Sequence, residues 1–401
     1  MRKKIAWIIP DLYTGGMPRV LETLSNEFNK DDNYEQYNIL LKKKDINFNV
    51  YGKLFSLEKE GKNLIKKIFI FIKRTYDFYK INKKYKFDYV VSFGMTANII
   101  NLLINKKGKT IITEHNVKSI ENSIGKGLNK LIYNYVYNFL IKLLYNKADK
   151  IVTVSKYMGI DLIKNYGIKE NKINTIYNGV DEKKIETLKL EPLSDEERKI
   201  FKNPVIINVG ATSKQKGQWH LIKIMTELRK SIPNIQLVIL GQGAYYNKLS
   251  NLVQSLDLQD SIHLMGVKSN PYKYMYNADL FVLTSLYEGF PNVLVEAMTV
   301  GLPVISVDCK SGPRELFQEN CIKFQYINDI FLADYGILIP DMMNDGVEIN
   351  GRIQKNDKIL KEAILKIIND KNLQEKYRKR AICRSKKFTS SKMAKNYMNL
   401  F

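Results

Sequence analysis

Short apolar runs alternate with amphipathic helical patterns along most of this chain. In the first half, runs of five or fewer residues are nearly continuous in Ile, Val, Phe and Tyr, as expected for strands buried on both faces. These predicted strands are Ile5–Ile9, Tyr37–Leu41, Tyr89–Phe93, Thr110–Thr113 and Ile151–Val154. A helical pattern begins at about Pro18, after the loop 11–16. The alternation predicts βαβ units, in which helices cover a parallel sheet.

The alternation restarts after a polar, charged stretch that ends at about Lys199. The predicted strands there are Val205–Val209, Gln236–Leu240, Ile262–Met265, Leu280–Thr284 and Val304–Val307, and the predicted helices are Trp219–Lys230, Asn247–Leu256 and Asn292–Val300. A chain of 401 residues exceeds one ordinary core, so we expect two doubly wound α/β domains with a cleft between them. We place the first domain at 1–185, a linker at 186–200 and the second domain at 201–375.

The charge of the chain is unevenly distributed. The formal net charge is +23, of which residues 1–180 carry +16 and residues 371–401 carry +9, whereas residues 201–350 carry −2. A general bias toward Lys would leave solvated lysines throughout the chain and would not produce this distribution. An excess of this kind favours a polyanionic partner, such as nucleic acid, an anionic membrane or a phosphorylated substrate.

Other features of the composition limit the class of protein. The three cysteines, Cys309, Cys321 and Cys383, form no C-x-x-C pair, so we expect neither a disulfide framework nor a zinc site. The apolar run after Met1 is too short for a signal peptide, and no stretch of 18 apolar residues predicts a transmembrane helix. We therefore expect a cytoplasmic protein.

Two carboxylates flank the start of a predicted helix. Glu288 and Gly289 lie in the loop after the strand Leu280–Thr284, and Glu296 lies about one turn into the helix that Pro291 and Asn292 open. Free N–H groups at a helix start bind phosphate, and carboxylates accept hydrogen bonds from neighbouring sugar hydroxyls. The pattern suits a ligand that contains a sugar, a diphosphate and a ribose.

This arrangement resembles the retaining glycosyltransferases of family four, in which Gly-Phe-Pro follows the first of two Glu residues eight positions apart. The resemblance covers nearly the whole chain and implies the GT-B fold of two facing Rossmann-like domains. It implies that Glu288 contacts the donor sugar and Glu296 the ribose. It also implies that the segment at the helix start contacts the sugar and diphosphate, chiefly through its backbone amides, at Phe290, Pro291, Asn292, Val293 and Leu294.

Two further loops of the second domain follow strands. Lys216 can neutralise a diphosphate leaving group, and it matches a family Lys, but Ala211 stands where the family has an Arg. Lys214 is the alternative cation in this loop. By resemblance, Gly266 and Val267 approach the base of the nucleotide. The segment 311–315 resembles members that act in bacterial surface polysaccharide assembly.

In the first domain, Gly15 and Gly16 allow a close approach of backbone to a ligand, and Arg19 lies in the first helical turn. The resemblance places this loop beside the diphosphate and the acceptor, although Arg19 is equally an ordinary surface charge. His115 follows a strand, and the family His at this position reaches the donor sugar; we expect His220 and His263 to be structural. Without an Asp-x-Asp pair, no metal or other cofactor is predicted.

The basic segments offer a second kind of contact. Residues 62–86 mix lysines with apolar side chains, a combination that binds anionic lipid. A helical stripe is predicted to be core rather than membrane face: Leu128, Leu131, Ile132, Tyr135, Val136, Phe139, Leu140, Leu143 and Leu144. No recognised nucleic-acid motif is present, so nucleic acid is not expected as a partner. By resemblance, residues 376–401 form a helix that crosses back to the first domain.

These observations predict a metal-independent, retaining glycosyltransferase at the inner face of the plasma membrane. Its partners would be a nucleotide sugar, a lipid-linked or saccharide acceptor and the anionic membrane surface. We expect a role in bacterial capsule, O-antigen or exopolysaccharide assembly, with Glu288, His115 and Lys216 as the catalytic groups. A nucleotide-sugar epimerase of the same fold and a non-catalytic partner subunit remain alternatives.

Overall fold

The computed structural model describes residues 2–13, 15–42, 45–57, 64–105, 107–123, 128–319, 326–343, 349 and 352–401; side chains 64–65, 121–123 and 128–133 are not described. The strands are β1 Lys3–Ile9, β2 Tyr34–Leu40, β3 Lys53–Ser56, β4 Tyr89–Phe93, β5 Lys109–Glu114, β6 Lys150–Thr153, β7 Ile173–Thr175, β8 Val205–Val209, β9 Gln236–Leu240, β10 Ile262–Leu264, β11 Leu280–Leu283, β12 Val304–Val307, β13 Phe331–Leu332 and β14 Ile337–Ile339.

The α-helices are α1 Gly16–Phe28, α2 Leu64–Tyr85, α3 Met95–Ile104, α4 Lys118–Ser123, α5 Leu128–Leu144, α6 Lys156–Tyr166, α7 Glu182–Leu188, α8 Asp195–Phe201, α9 Trp219–Ser231, α10 Tyr246–Ser255, α11 Tyr272–Asn277, α12 Asn292–Val300, α13 Pro313–Phe317, α14 Lys355–Ile368, α15 Lys371–Ser385 and α16 Ser390–Met398. Short 3₁₀ turns occur at Tyr145–Lys147, Glu170–Lys172 and Lys214–Lys216. Thus strands and helices alternate in both halves of the chain, as the apolar pattern predicts.

The chain forms two compact units, one of Met1–Gly179 with Ser390–Phe401 and the other of Val180–Thr389. In the described part of the first unit, a seven-stranded sheet has the order β3-β2-β1-β4-β5-β6-β7. Its strand pairs are parallel, with β1 register Ile5↔Gln36 on one side and Ile5↔Tyr89 on the other. The strand order reverses between β1 and β4, which creates a switch point where the loops after these strands diverge.

The second unit repeats this topology. Within its described residues, a seven-stranded sheet has the order β10-β9-β8-β11-β12-β14-β13, and β8 and β11 meet at the switch point. The two-residue strand β13 pairs antiparallel with β14, so this edge departs from the all-parallel sheet that we expected. Both units are α/β with doubly wound sheets.

Buried apolar residues on both faces of each sheet form the cores. In the first unit, α1 and α16 pack on one face of the sheet around Trp7 and Phe28, and α2 and α3 pack on the other face around Tyr37 and Phe78. Trp7 lies edge-on to Phe28 at a centroid distance of 5.3 Å. In the second unit, α9 and α14 pack together against the sheet. These cores hold the strand ends, and therefore the loops that follow them, in fixed positions.

The observed units differ from the predicted domain boundaries. The second unit already begins at Val180, and the stretch 186–200 is mostly helical instead of a linker, because Asp181 and Ser194 cap α7 and α8. The helix α15 packs on α12 within the second unit, so only residues 390–401 return to the first unit. Short helices of this kind resemble linkers in sequence, because most of their residues are charged and few are buried.

The core assignment of the stripe at 128–144 is wrong for four residues. The side chains of Tyr135, Val136, Phe139 and Leu143 are exposed, whereas Leu144 is buried. The helix α5 presents an apolar face that the described part of the unit does not cover. The side chains of Leu128, Leu131 and Ile132, and residues 62–63 of the basic segment, lie outside the described residues.

Candidate functional site

Lys216 and Glu288 form an ion pair in the second unit. Lys216 ends the loop after β8, Glu288 lies in the loop after β11, and Lys216 Nζ donates to Glu288 Oε1 over 2.6 Å. Both side chains are mostly buried, at 19% and 8% exposed. Because β8 and β11 are neighbours at the switch point, their carboxyl ends bring together two residues that lie 72 positions apart.

Hydrogen bonds fasten these two loops to each other. The N–H of Leu286 donates to the carbonyl of Gln215 at 2.8 Å, and the Gln215 side-chain amide donates to the carbonyl of Tyr287 at 2.9 Å. The Thr284 hydroxyl donates to the carbonyl of Lys216 at 2.9 Å. Sequence reasoning missed Gln215 and Thr284, since nothing local marks a side chain that bonds a distant carbonyl. These hydrogen bonds hold together the two loops that carry the ion pair.

Glycines allow the strand ends of this unit to converge. Gly241, after β9, has φ +144°, and a Cβ there would lie 2.0 Å from the carbonyl oxygen of Gly210, after β8. The N–H of Gly241 donates to the carbonyl of Gly266, after β10, at 2.7 Å. Gly266 has φ +66° and nothing within 4 Å of its Cβ direction, and the Val267 side chain is exposed. The predicted base loop therefore lies at the same sheet edge as the Lys216 loop.

The segment from Gly289 to α12 is held from behind by the loop after β12. Ser311 donates its hydroxyl hydrogen to the carbonyl of Gly289 at 2.7 Å. The Phe290 ring packs on Phe388 at 5.6 Å and is buried, so we expect the backbone of Phe290 to be the part that contacts a ligand. The other predicted ligand-binding residues come next along the chain. Pro291 is the N-cap of α12, Asn292 and Val293 are half-buried in its first turn, and Leu294 lies in the core.

The start of α12 offers backbone N–H groups that can bind an anion. The first N–H groups of a helix lack partners in the helix itself and point along its axis toward the preceding loop. One of them is satisfied locally, since the Leu294 N–H donates to the carbonyl of Pro291 at 2.9 Å. Glu296 lies one turn further along and is 5% exposed. This is the helix start at which the sequence predicts phosphate binding.

Two other residues of the Lys216 loop, Lys214 and Ala211, do not pair with Glu288. Lys214 is exposed at the start of the 3₁₀ turn and has no partner in the described part of the chain. Ala211 is exposed and its carbonyl accepts from the Gln218 side chain at 3.2 Å. The structure does not bring Lys214 to Glu288, so Lys216 is the cation that pairs with this carboxylate.

The glycine loop of the first unit follows β1, at the switch point of its own sheet. Helix α1 begins at Gly16, two residues before the predicted start, and Gly15 precedes it with φ +113° and open space around its Cβ direction. The Arg19 guanidinium lies 6.0 Å from the centre of the Phe48 ring. Gly15, Gly16 and Arg19 thus lie together at the carboxyl end of β1.

His115 follows β5 and is held by its neighbours. The ring stacks on Phe93 at 5.5 Å, and its Nε2 lies 3.0 Å from the Thr113 hydroxyl. Burial, with the charge of Lys118 as a second cause, lowers the pKa of His115 to about 3. The imidazole is therefore neutral at physiological pH.

The contacts of Thr113 also fix the tautomer of His115. The Thr113 hydroxyl donates its single hydrogen to the carbonyl of Ser92 at 2.9 Å, because a carbonyl can only accept. The hydroxyl must then accept from His115, so Nε2 carries the hydrogen and Nδ1 carries a lone pair. The ring presents a hydrogen-bond acceptor at Nδ1.

Replacing Thr113 with Val should release this tautomer. A net hydrogen bond contributes about 1 kcal/mol, so the ratio of the Nε2–H to the Nδ1–H form should fall by roughly fivefold. Nitrogen-15 NMR of the imidazole measures this ratio, and Thr113→Ser, which keeps the hydroxyl, should retain the wild-type ratio. A wild-type protein in which Nδ1 carries the hydrogen would contradict the assignment.

A buried polar network that sequence reasoning missed lies beside His115. Glu114 pairs with Lys118 at 2.8 Å and accepts from the Tyr145 hydroxyl and from the Asn98 amide, the latter at 3.0 Å. No local pattern in the sequence indicates it, because Glu114 ends β5 and Lys118 begins α4, so their spacing of four is not a helical one. The network anchors the segment that carries His115.

The two halves of the chain match two family models. The model described as "Glycosyl transferases group 1" matches residues 191–326, and the model described as "Glycosyltransferase Family 4" matches residues 14–184. Between them, these matches include every candidate residue named above.

Curated relatives are similar over most of the chain. The "Uncharacterized glycosyltransferase MJ1059" of Methanocaldococcus jannaschii is 31% identical over 352 residues, covering 86% of each chain. The Campylobacter jejuni N-acetylgalactosamine-N,N'-diacetylbacillosaminyl-diphospho-undecaprenol 4-alpha-N-acetylgalactosaminyltransferase is 30% identical over 302 residues, covering 75% of this chain and 70% of that protein.

Solved structures share the fold at low sequence identity. Anabaena Alr3699/HepE in complex with UDP and glucose superposes with a TM-score of 0.74 at 18% identity, covering 99% of both chains. The sucrose-phosphate synthase of Thermosynechococcus elongatus has a TM-score of 0.77 at 18% identity, covering 100% of this chain and 98% of that one. The architecture common to these proteins is the GT-B fold.

Proposed function

This chain belongs to the family 4 glycosyltransferases of the GT-B fold, and from that membership we propose that it moves a sugar from a nucleoside-diphosphate sugar to a lipid-linked or saccharide acceptor, with retention of the anomeric configuration. Its relatives include enzymes of bacterial polysaccharide and lipopolysaccharide synthesis. Solved structures named as complexes of Anabaena Alr3699/HepE with UDP and with UDP-glucose support a nucleotide sugar as donor. The Campylobacter relatives named for diphospho-undecaprenol substrates support a lipid-linked acceptor.

The Lys216–Glu288 ion pair is the observation that carries this proposal. Lys216 and Glu288 lie 2.6 Å apart beside the start of α12. The cation suits the diphosphate and the carboxylate suits the sugar, the two groups that the bond to be broken joins. Lys216 and the first amides of α12 stabilise the charge that develops on the leaving diphosphate, whereas Glu288 accepts from sugar hydroxyls. In the protein without donor, the two side chains neutralise each other. Glu296 is the group that we assign to the ribose.

The chemistry follows from these assignments. The bond between the anomeric carbon and the phosphate oxygen breaks, the acceptor oxygen bonds to the same face of that carbon, and the leaving phosphate oxygen takes the acceptor's proton. The chain supplies positioning and charge stabilisation and no covalent nucleophile. We assign the neutral His115 to a sugar hydroxyl and the Gly15–Gly16 loop with Arg19 to the diphosphate and acceptor. Since Lys216 carries the compensating charge, we propose that transfer requires no divalent metal.

A donor screen followed by product analysis tests the function. UDP-, GDP- and ADP-sugars are screened by thermal shift, because a bound ligand raises the midpoint of unfolding. The stabilising donor is then incubated with undecaprenyl-diphosphate-linked saccharides, with and without EDTA, and the anomeric linkage is read by NMR. An α-linked product from an α-linked donor, unaffected by EDTA, is expected. Conversion of the donor alone would indicate an epimerase, and the absence of binding would indicate a partner subunit.

We further propose that the first unit docks on anionic lipid at the inner face of the plasma membrane. Within the described residues, no helix is long and apolar enough to span a bilayer. One face of α2, here called the α2 surface, exposes Ile68, Phe69, Ile72, Tyr76 and Tyr79. Exposed lysines accompany it at positions 66, 67, 80, 83 and 84. A protein binds the surface of an anionic membrane when apolar side chains insert among the lipids and lysines contact the lipid phosphates.

Neighbouring helices of the first unit expose further apolar side chains. Helix α3 packs against both α2 and α5, and it exposes Leu103. Helix α5 exposes four more, from Tyr135 to Leu143. Single exposed apolar residues are ordinary on a protein surface, but several of them on helices that pack together are typical of a binding face.

Replacing Phe69 and Ile72 together with Glu should abolish most vesicle binding. Burial of each side chain contributes about 1.5–3 kcal/mol, so a loss of at least tenfold in the partition coefficient is expected. Sedimentation with phosphatidylglycerol-containing and purely zwitterionic vesicles measures it. Leu190→Glu, at an exposed apolar position of the second unit, is the matched control and should bind like wild type. Binding that is insensitive to anionic lipid would contradict the role of the lysines.

A further inference from the structure

A buried charged cluster lies beneath the Lys216 loop. His220 Nδ1 lies 2.6 Å from Asp357 Oδ1, and Lys223 Nζ lies 3.0 Å from Asp357 Oδ2. His220 and Asp357 are fully buried and Lys223 is 4% exposed. Burial alone would raise the pKa of Asp357, but the hydrogen bond and charge of His220, with bonds from Gln354 and Lys223, hold it below its usual value. Asp357 is therefore an ionised carboxylate inside the second unit.

The ring of His220 packs directly on the loop that carries Lys216. The backbone N–H of His220 donates to the carbonyl of Gly217 at 3.0 Å. A Cβ on Gly217 would lie 2.4 Å from the carbonyl oxygen of Thr284 and 3.4 Å from His220 Cδ2. Gly217 thus lies close to both the imidazole and the residue that follows β11. Because Gly217 is bonded to Lys216, the position of the ring determines where the Lys216 backbone lies.

A second helix anchors the ring in turn. Asp357 lies in the first turn of α14 and also accepts the N–H of Gln354 at 2.9 Å. Lys223 lies one turn after His220 on α9, so the carboxylate joins two positions of α9 to the start of α14. The side chains of His220, Asp357 and Lys223 therefore tie the Lys216 loop to the packing of two helices.

A cluster of charges is a costly way to fill a core. Apolar side chains of similar volume would avoid the desolvation of Asp357 and Lys223, whereas the ion pair and its hydrogen bonds fix the relative positions of the groups that they join. The carboxylate only accepts, so His220 Nδ1 donates, and within the described residues His220 Nε2 has no partner. One directional bond from Nδ1 holds the ring against Gly217.

We propose that His220 is a positioning residue, which holds Gly217 through its bond to Asp357 and so keeps Lys216 where it binds the donor's diphosphate. This inference rests on the proposed function, since it takes Lys216 as the diphosphate ligand. His220 touches neither donor nor acceptor. Its effect is confined to the phosphate end of the ligand and leaves the nucleoside end unchanged.

Calorimetry of the full chain with inorganic pyrophosphate, UDP and uridine tests this role. The variants are His220→Leu, which removes the bond to Asp357, and His220→Asn, whose amide can donate from the place of Nδ1. Lys216→Ala and the double variant Lys216→Ala/His220→Leu complete a cycle. His263→Asn is the matched control, because His263 is half-buried in the same unit and bonded to Gln236 at 2.8 Å.

We expect His220→Leu to weaken pyrophosphate and UDP binding by about tenfold and uridine binding by less than about twofold. His220→Asn should restore most of the affinity, and His220→Leu should have no further effect once Lys216 is Ala. If His220→Leu fails to fold, Lys223→Met and Asp357→Asn provide the same comparison. Equal losses for uridine and UDP, or additive losses in the double variant, would overturn the positioning role. Unchanged affinity for pyrophosphate and UDP in Lys216→Ala would instead refute the proposed function.

Discussion

Replacing Glu288 with Gln should lower kcat by about 10²–10³-fold and leave the affinity for UDP unchanged or increased. In the structure, Glu288 accepts from Lys216 at 2.6 Å, so the carboxylate competes with a phosphate for this cation. Gln is isosteric and neutral: it frees Lys216 for the diphosphate but accepts weakly from a sugar hydroxyl. Steady-state transfer and calorimetry with UDP measure the two effects separately.

Replacing Lys216 instead of Glu288 should distinguish binding of the diphosphate from binding of the sugar. Lys216→Met keeps the aliphatic stem but removes the charge, so both kcat and UDP affinity should fall, while Glu288 is left without its cation. Lys214→Met and Glu319→Gln are matched controls, since Lys214 is exposed and Glu319 pairs with Lys387 and Arg384 away from the site. Equal losses of UDP affinity in Glu288→Gln and Lys216→Met would contradict the assignment of opposite ends.

The strands were the most predictable part of the fold. β4, β8, β9 and β12 match their predicted bounds, because strands buried on both faces read as nearly continuous apolar runs. β3 and β7 were missed because their residues are partly exposed and their runs are mixed. The stretch 186–200 has the composition of a linker because α7 buries a single residue, Ile185, and α8 buries none, so neither helix carries an apolar stripe.

The candidate site was predictable where it depends on position along the chain. Lys216 and Glu288 follow strands, and parallel strands bring their carboxyl ends to one edge, so the sequence predicts their proximity. Gln215 and Thr284, which bond distant carbonyls, carry no local signal. The stripe on α5 shows the complementary limit: a period of 3.6 residues reveals an apolar face, but only tertiary packing determines whether anything covers it.

Gly312→Ala should cause a large loss of both folding stability and transfer activity. Gly312 has φ +90°, and a Cβ there would lie 2.5 Å from Pro291 Cδ and 3.1 Å from the carbonyl oxygen of Gly289. The strained backbone and the overlap should together lower the free energy of unfolding by about 2–5 kcal/mol. Relief of the overlap must displace the segment from Gly289 to Pro291, which sets the direction of α12 and the position of Glu288.

In Gly312→Ala, kcat/KM should fall by more than the loss of folded protein explains. A displacement of about 1 Å at a site that positions reacting groups can cost roughly 100-fold in kcat/KM, even where the protein remains folded. Gly167→Ala is the matched control, because Gly167 also has a positive φ, +68°, but has nothing within 4 Å of its Cβ direction. That variant should lose about 1 kcal/mol of stability through backbone strain and retain transfer. Chemical denaturation and transfer assays of the two variants separate strain from displacement, and a Gly312→Ala protein with wild-type kcat/KM would show that the Gly289–Pro291 segment does not set the geometry of the site.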